Sequence, residues 1–191
     1  MDDIVKIIPR NYNEILQKSE EVGFTMSSDL YIGALLKILV ASKPSGNFLE
    51  LGTGLGLSLS WISDGMDETS KVISVDNDSK LTDLVTGFFQ NNKNVFIFCA
   101  DGGEWIEKYE GEKFDLIFAD AWPGKFERLK ETLDLLKIGG FYVIDDLEPQ
   151  PNWPEAHQQK VEDLLKTLEA RIDLVLTKVN WSTGLILATK K

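Results

Sequence analysis

The sequence has little cysteine or histidine, few basic residues for its acidic content, and no long apolar run. Its 191 residues include one cysteine, one histidine, and 20 lysines and arginines against 31 aspartates and glutamates, giving a net charge of -11. A single cysteine excludes an intrachain disulfide and a cysteine-rich zinc site. The lack of disulfides is typical of proteins in a reducing compartment. The negative charge disfavours nucleic acid and anionic membranes as partners. No segment reaches the roughly 18 apolar residues of a membrane span. With an acidic start unlike a signal peptide, we expect a cytoplasmic protein.

Length and composition predict one compact domain. The chain falls within the usual size of a single domain, about 100–200 residues. Its apolar content of 43% and charged content of 27% are close to globular averages. No repeat or linker divides it, so we expect one domain over 1–191, with leading helices in 1–45 and an α/β core in 46–191. Cys99 lies in an apolar run and is expected to be a small buried side chain.

Short apolar runs alternate with helix-like segments from residue 47 onwards. The predicted strands are 47–51, 72–75, 95–99, 114–119 and 141–144. The predicted helices are 11–21, 28–41, 57–63, 80–90, 103–109, 126–136 and 154–170. This alternation indicates a doubly wound α/β fold, whose parallel sheet is covered by helices on both faces. Two final runs, 172–179 and 185–189, predict an antiparallel hairpin and bring the count to seven strands.

A glycine-rich turn follows the first predicted strand. The pattern Glu50-x-Gly52-x-Gly54-x-Gly56 lets a ligand approach the backbone, and amides at the next helix can bind polar groups. The dinucleotide pattern needs a glycine where this chain has Leu57, which disfavours an NAD-dependent dehydrogenase. The Glu50 carboxylate suits an ammonium or sulfonium charge better than a pyrophosphate. Taken alone, the loop also fits an ordinary tight turn between a strand and a helix.

Two further acids follow the next strands. Asp76 ends the second strand, where a carboxylate can accept both hydroxyls of a ribose. Asp101 follows the third strand, where a polar side chain can meet the exocyclic amine of adenine. Each acid alone is also typical of a helix N-cap. At successive strand ends, and together with the glycine loop, they predict a nucleoside-binding site.

This pattern resembles a class I S-adenosylmethionine-dependent methyltransferase. It is most similar to the O-methyltransferase family typified by catechol and caffeoyl-CoA O-methyltransferases, over nearly the whole chain. The resemblance implies a Rossmann-like sheet, S-adenosylmethionine as cofactor, a small-molecule hydroxyl as methyl acceptor, and a homodimer. The cofactor-binding residues that it implies are Thr25, Met26, Ser27, Glu50, Gly52, Thr53, Gly54, Gly56, Ser58, Asp76, Asn77, Asp101, Gly102, Asp120, Ala121 and Trp122.

The fourth and fifth strands end like the family's metal-binding strands. Asp120 ends the fourth, and Asp145 and Asp146 end the fifth, where the family usually has asparagine in place of Asp146. Since Mg²⁺ and Ca²⁺ favour oxygen ligands, the resemblance implies one of these ions at the three aspartates. The alternative is that Asp145 and Asp146 accept backbone amides or line a polar pocket.

The candidate catalytic residues are Asp120, Lys125 and His157. The family places a lysine near the third position after the aspartate, whereas here Lys125 comes later, after Pro123-Gly124. Lys125 either orients or deprotonates a substrate hydroxyl or is a solvated lysine at the start of a helix. His157 is either a general base near neutral pH or an exposed residue on its helix. A Pro-rich loop containing Trp153 precedes it and is expected to cover the substrate.

Two other functions remain open from the sequence. The chain could methylate RNA or protein, although its charge argues against RNA. It could also be a regulatory module that binds a nucleoside without turnover, since the cofactor acids are kept while the metal triad departs from the family pattern.

Overall fold

The computed structural model describes residues 5–149 and 156–191. The helices are α1 (Tyr12–Val22), α2 (Leu30–Ala41), α3 (Leu57–Gly65), α4 (Ser79–Phe89), α5 (Gly102–Lys108), α6 (Leu129–Asp134) and α7 (Ala156–Glu169). The strands are β1 (Asn47–Leu51), β2 (Lys71–Asp76), β3 (Val95–Cys99), β4 (Phe114–Ala119), β5 (Leu136–Ile144), β6 (Leu174–Val179) and β7 (Leu185–Lys190).

The strands form one seven-stranded sheet in the order β3-β2-β1-β4-β5-β7-β6. The first five strands along the chain are parallel, and β7 runs antiparallel to both β5 and β6. This confirms the predicted fold class: a doubly wound, Rossmann-like α/β sheet, mostly parallel, with an antiparallel C-terminal hairpin. The division of the chain at residue 45 stays a prediction.

Each central strand sends alternate side chains into two cores, one on either face of the sheet. Phe48 packs into the core that α1 to α4 cover, where Trp61 is among the largest buried side chains. Its neighbour Leu49 packs into the opposite core, under α5 to α7. In the same way, Phe118 and Ile117 of β4 enter opposite cores. Burial on both faces explains why these strands are continuous apolar runs.

Aspartate caps begin three of the helices. Asp29 accepts the Tyr31 amide at 2.7 Å, Asp78 accepts the Lys80 amide at 2.8 Å, and Asp101 accepts the Glu104 amide at 2.9 Å. These bonds satisfy amides that have no partner within the helix. The α4 and α5 caps come directly after β2 and β3, so they also fix the loops at the carboxyl edge of the sheet.

Some local predictions were wrong. Strand β5 begins at Leu136, because Leu136 pairs with Phe114 before the register shifts, and the helix predicted over 126–136 shrinks to α6. Cys99 is exposed, not buried, since β3 is an edge strand. The predicted start of α7 at Pro154 lies outside the described residues. Among the described helices, none is long and apolar enough to cross a membrane.

Candidate active site

Two cavities lie side by side at the carboxyl edge of the parallel strands. Strands β2 and β4 flank β1 on opposite sides, so the loops after β1 and β4 diverge and leave a crevice there. The first cavity has a volume of about 530 Å³ and includes Gly54, Asp76 and Asp101 in its lining. The second measures about 490 Å³ and includes Lys125, Asp145 and His157. The residues that line both are Met26, Asp120, Ala121, Trp122 and Asp146.

The glycine loop forms one wall of the first cavity. Gly52, Gly54 and Gly56 have φ angles of 100°, 52° and 87°, in the region that glycine tolerates best. A Cβ atom on Gly52 would lie 2.8 Å from the carbonyl oxygen of Asp120, and one on Gly54 would lie 2.9 Å from the Phe24 ring. The loop therefore needs glycine for its conformation and for its close contact with the end of β4.

Glu50 lies behind the glycine loop and is completely buried. Its Oε2 atom accepts a hydrogen bond from Ser74, whose hydroxyl is also bonded to that of Thr53 at 2.6 Å. Its Oε1 atom has no hydrogen-bond partner among the described residues. Burial raises the pKa of Glu50 to about 7. Hydrogen bonds from Ser58 and Ser74 act against this rise, and the ionised carboxylate would stabilise a ligand cation on the other side of the glycine loop.

Asp76 and Asp101 hold the loops on the far side of the first cavity. Asp76 accepts the Gly54 amide at 2.9 Å through Oδ2 and the Asp78 amide at 2.9 Å through Oδ1. It therefore ties the glycine loop to the end of β2. Asp101 caps α5, and both acids line the cavity. Each carboxylate keeps acceptor capacity beyond these bonds, which allows it to bind a ligand as well.

The wall between the cavities is partly aromatic. The Trp122 ring is approached by the Lys160 ammonium at 3.6 Å from its centroid, a cation–π contact. Ser28 donates to Asp120 Oδ2 at 3.4 Å and so connects the segment after α1 to the end of β4. Met26, in the same segment, is 74% exposed. The Trp122 ring is also exposed, at 45%, so both side chains of this wall are accessible to a ligand.

Lys125 is buried, so the prediction of a solvated lysine was wrong. It is 3% exposed, and its Nζ donates to the backbone carbonyl of Asp145 at 2.7 Å. The Pro-Gly turn bends inward: the Gly124 amide bonds the Glu127 carbonyl at 2.7 Å, and the buried Tyr142 hydroxyl donates to the Gly124 carbonyl. Tyr142 belongs to β5, and a contact with so distant a residue is not visible in the local sequence.

His157 is also buried, so the prediction of an exposed helix residue was wrong. It is 7% exposed, and its ring meets the Phe126 ring edge-on at 5.2 Å. Burial and the Lys125 charge lower its pKa below the ordinary value. His157 therefore keeps a neutral imidazole that can accept a proton at physiological pH. Trp153, expected to cover the substrate with it, lies outside the described residues.

The three aspartates of the implied metal site all line the second cavity, but they are not arranged as a metal-binding group. Asp145 Oδ1 already accepts the Asp146 amide at 2.8 Å and the Thr183 hydroxyl at 2.9 Å. Burial raises the pKa of Asp145 to about 6, and burial together with Asp145 and Asp146 raises that of Asp120 well above its ordinary value. Within 5–149 and 156–191, no group of three or more His, Cys, Asp or Glu residues is arranged to hold a metal ion. The donor set in the structure therefore does not fit a divalent ion.

Most of the predicted cofactor residues come together. Those that line the first cavity are Met26, Gly52, Gly54, Asp76, Asn77, Asp101, Gly102, Asp120, Ala121 and Trp122. Ser27, Thr53 and Ser58 line a narrow recess beside the glycine loop, and Thr25 lines the second cavity. Glu50 and Gly56 line none of these cavities and support the loop from behind.

The sequence interpretation missed several lining residues. Phe24 and Leu81 line the first cavity, and Asp29 and Thr183 line the second. The position of Leu81 could have been predicted from the sequence, because it lies in the first turn of α4, shortly after the strand end that carries Asp76. The position of Thr183 could not have been predicted, since the pairing of β7 with β5 brings it to the cavity.

The sheet order and the glycine loop define the class of protein as a Rossmann-like methyltransferase fold. The O-methyltransferase family profile matches residues 11–191, and the chain belongs to that family. This confirms the resemblance seen in the sequence.

Solved structures and curated relatives agree with this assignment. An O-methyltransferase from Bacillus cereus, solved in complex with SAH, superposes with a TM-score of 0.85 at 21% identity, covering 99% of this chain and 94% of that one. TomG from Streptomyces achromogenes, an O-methyltransferase involved in tomaymycin synthesis and solved with SAM, gives 0.85 at 19% identity, covering 98% and 92%. A Mycobacterium avium (strain 104) protein, provisionally named an O-methyltransferase, is 26% identical over 118 residues, 59% of this chain and 53% of that protein. The match thus spans little more than half of that curated relative.

Proposed function

We propose that this protein is an S-adenosylmethionine-dependent methyltransferase that methylates a hydroxyl oxygen of a small molecule. One observation carries the proposal: the cavity beside the glycine loop shares a wall with a second cavity that contains a buried lysine and a buried histidine. A cofactor in the first cavity and an acceptor in the second would meet across Asp120 and Trp122. This is the geometry that a direct transfer between two bound molecules requires.

The first cavity offers a complementary group to each part of the cofactor. Asp76 accepts the ribose hydroxyls, and Asp101 meets the adenine amine. Glu50, which lines none of the cavities, stabilises the cationic end from behind the loop through its negative charge. When bound, S-adenosylmethionine supplies an electrophilic methyl group on a sulfonium sulfur, and the C–S electron pair stays on that sulfur as the methyl leaves.

The second cavity prepares the acceptor oxygen. The hydroxyl oxygen forms the new C–O bond, and its proton passes to the neutral imidazole of His157. A positioned base of this kind contributes roughly 10²- to 10⁴-fold to a rate. Trp122 and Met26 line both cavities and would contact the two bound molecules. Asp120 lies in the shared wall, where it orients the acceptor.

We further propose, as expected from the sequence, that the protein is a homodimer in the cytoplasm. It acts on a small molecule and not on nucleic acid or a membrane. Its net charge of -11 supports the exclusion of RNA as a substrate. The family match supports a hydroxyl acceptor over a protein side-chain nitrogen.

The test is a transfer assay with methyl-labelled S-adenosylmethionine and a panel of phenols, catechols and aliphatic alcohols. It is run beside a calorimetric titration of the full chain with S-adenosylhomocysteine. We expect one equivalent of S-adenosylhomocysteine to bind and label to appear on a hydroxyl compound. Binding without transfer to any acceptor would support a regulatory module instead. Absence of binding would reject the proposal as a whole.

A further inference from the structure

The positively charged Lys125 lies beside the aspartates at the ends of β4 and β5. Tyr142 donates a hydrogen bond to the Gly124 carbonyl in the turn just before Lys125. The lysine itself is almost fully buried. A buried charge is strongly destabilising unless opposite charges compensate it. Here Asp120, Asp145 and Asp146 line the same cavity as Lys125, and the backbone carbonyl of Asp145 accepts a hydrogen bond from the ammonium. Lysine and aspartates therefore form one compensated cluster.

The ammonium also faces the second cavity with bonding capacity to spare. A lysine ammonium has three N–H donors. In the part of the chain that the structure describes, one of them is used, by the Asp145 carbonyl at 2.7 Å. Since Lys125 lines the cavity, a hydroxyl oxygen entering it can accept one of the others.

The aspartates, in contrast, are poorly arranged for a divalent ion. The Asp145 carboxylate is held by the Asp146 amide and the Thr183 hydroxyl. Asp146 has a φ of 62°, in the left-handed region, and lines both cavities. An ion placed among these acids would also be repelled by the Lys125 ammonium, and repulsion between like charges is large in a buried site.

We propose that the Lys125 ammonium is the resident cation of the second cavity, and that it stands in place of a divalent ion. Resting on the proposed function, this means that Lys125 donates to the acceptor oxygen as that oxygen loses its proton to His157 and bonds the methyl carbon. Lys125 keeps its own protons throughout. A hydrogen bond from the ammonium needs one acceptor oxygen on the substrate, whereas chelation by a metal ion needs two. The substrate class is therefore compounds with one reacting hydroxyl, without need of a neighbouring one.

The experiment compares the full chain with three variants. Lys125→Met removes the charge and keeps the length of the side chain. Lys130→Met is the matched control, because Lys130 is an exposed lysine that pairs with Asp134. The double variant Asp145→Asn/Asp146→Asn gives the background of Mn²⁺ binding to surface acids. Each protein is measured for S-adenosylhomocysteine affinity, for Mn²⁺ binding by electron paramagnetic resonance, and for methyl transfer with EDTA or with Mg²⁺.

We expect the unmodified chain to bind no more Mn²⁺ than the double variant and to turn over equally in EDTA and in Mg²⁺. Lys125→Met should bind S-adenosylhomocysteine as before while kcat falls by about a hundredfold or more, the usual cost of removing one donor to a developing oxyanion. Lys130→Met should match the unmodified chain, and phenol should react as well as catechol.

Three results would overturn the inference: one extra equivalent of Mn²⁺ on the unmodified chain, loss of turnover in EDTA that Mg²⁺ restores, or full turnover by Lys125→Met. If Lys125→Met no longer binds S-adenosylhomocysteine, Lys125→Ala with added ethylamine decides. Recovery with the amine supports the inference, and no recovery contradicts it. If the unmodified chain itself binds no S-adenosylhomocysteine, the proposed function fails, while the Mn²⁺ measurement still tests the resident cation separately.

Discussion

The two cavities at the carboxyl edge are built in different ways. The first depends on the backbone: glycines with positive φ, and loop amides that Asp76 and Asp101 hold in place. The second depends on buried side chains from separate elements, with Lys125 from the loop after β4, Asp145 from the end of β5 and His157 from α7. We therefore expect mutations to affect cofactor binding and turnover separately.

The largest effect is expected from Gly52→Ala. The new Cβ would meet the Asp120 carbonyl at 2.8 Å, in a conformation that alanine rarely adopts. Backbone strain of this kind costs about 1–3 kcal/mol, and the clash with the Asp120 carbonyl also displaces the loop that lines the first cavity, so we expect no S-adenosylhomocysteine binding in calorimetry. The control is Gly87→Ala in α4, where a Cβ meets nothing within 4 Å. It should keep full affinity and raise stability by about 0.5–1 kcal/mol. Equal affinity of the two variants would show that the first cavity does not depend on the glycine at position 52.

His157→Gln should act on the second cavity alone. Loss of the base is expected to lower kcat by about a hundredfold or more, with S-adenosylhomocysteine affinity unchanged. In the unmodified chain, the acidic limb of the kcat profile should lie below the ordinary histidine pKa, because burial and Lys125 lower it. Gln158→Ala, at the exposed neighbouring position, is the control for α7. Undiminished kcat in His157→Gln would remove His157 as the base.

Asp76→Asn should weaken the first cavity without destroying it. The amide keeps one acceptor oxygen but loses the charge that serves the Gly54 amide and the ribose. Hydrogen bonds to charged groups contribute about 1.5–3 kcal/mol, so roughly 10- to 100-fold weaker S-adenosylhomocysteine binding is expected. Asp83→Asn, a change at an exposed position of α4, should leave affinity unchanged. A loss of kcat at saturating cofactor, with affinity unchanged, would show that Asp76 acts in turnover and not in cofactor binding.

Glu50 should make cofactor affinity depend on pH. Its pKa is raised to about 7, and a cationic ligand favours the ionised form, so affinity should rise with pH and level off above about 7. The dependence approaches tenfold per pH unit on the acidic side. Since the folded-state pKa lies above the unfolded value, the free protein loses stability as pH rises towards 7. Glu50→Gln should have a flat affinity profile and, at pH 8, a higher melting temperature. A flat profile in the unmodified chain would contradict this role.

The first cavity could be predicted from the sequence because its parts are local. A glycine loop after one strand, and an acid at the end of each of the next two, are visible as short patterns. The parallel sheet then brings those strand ends to one edge. The alternation of apolar runs and helical segments predicted five strands and the C-terminal hairpin pattern two more, and the structure confirms all seven.

The second cavity could not be predicted because its burial is set by distant partners. Lys125 is buried since Tyr142 anchors its turn, and Asp145 is held by Thr183 from the C-terminal hairpin. Neither contact leaves a local signal. The prediction that Cys99 is buried was wrong for a related reason. An apolar strand need not be central, and only the sheet order shows that β3 is at the edge.

Whether the two cavities work separately can be measured by titrating three proteins with S-adenosylhomocysteine: the unmodified chain, Gly52→Ala and Lys125→Met. We predict one equivalent bound by the unmodified chain, the same affinity in Lys125→Met, and no binding in Gly52→Ala. No binding by the unmodified chain, or equal loss of binding in both variants, would contradict the account of two separately built halves of one active site.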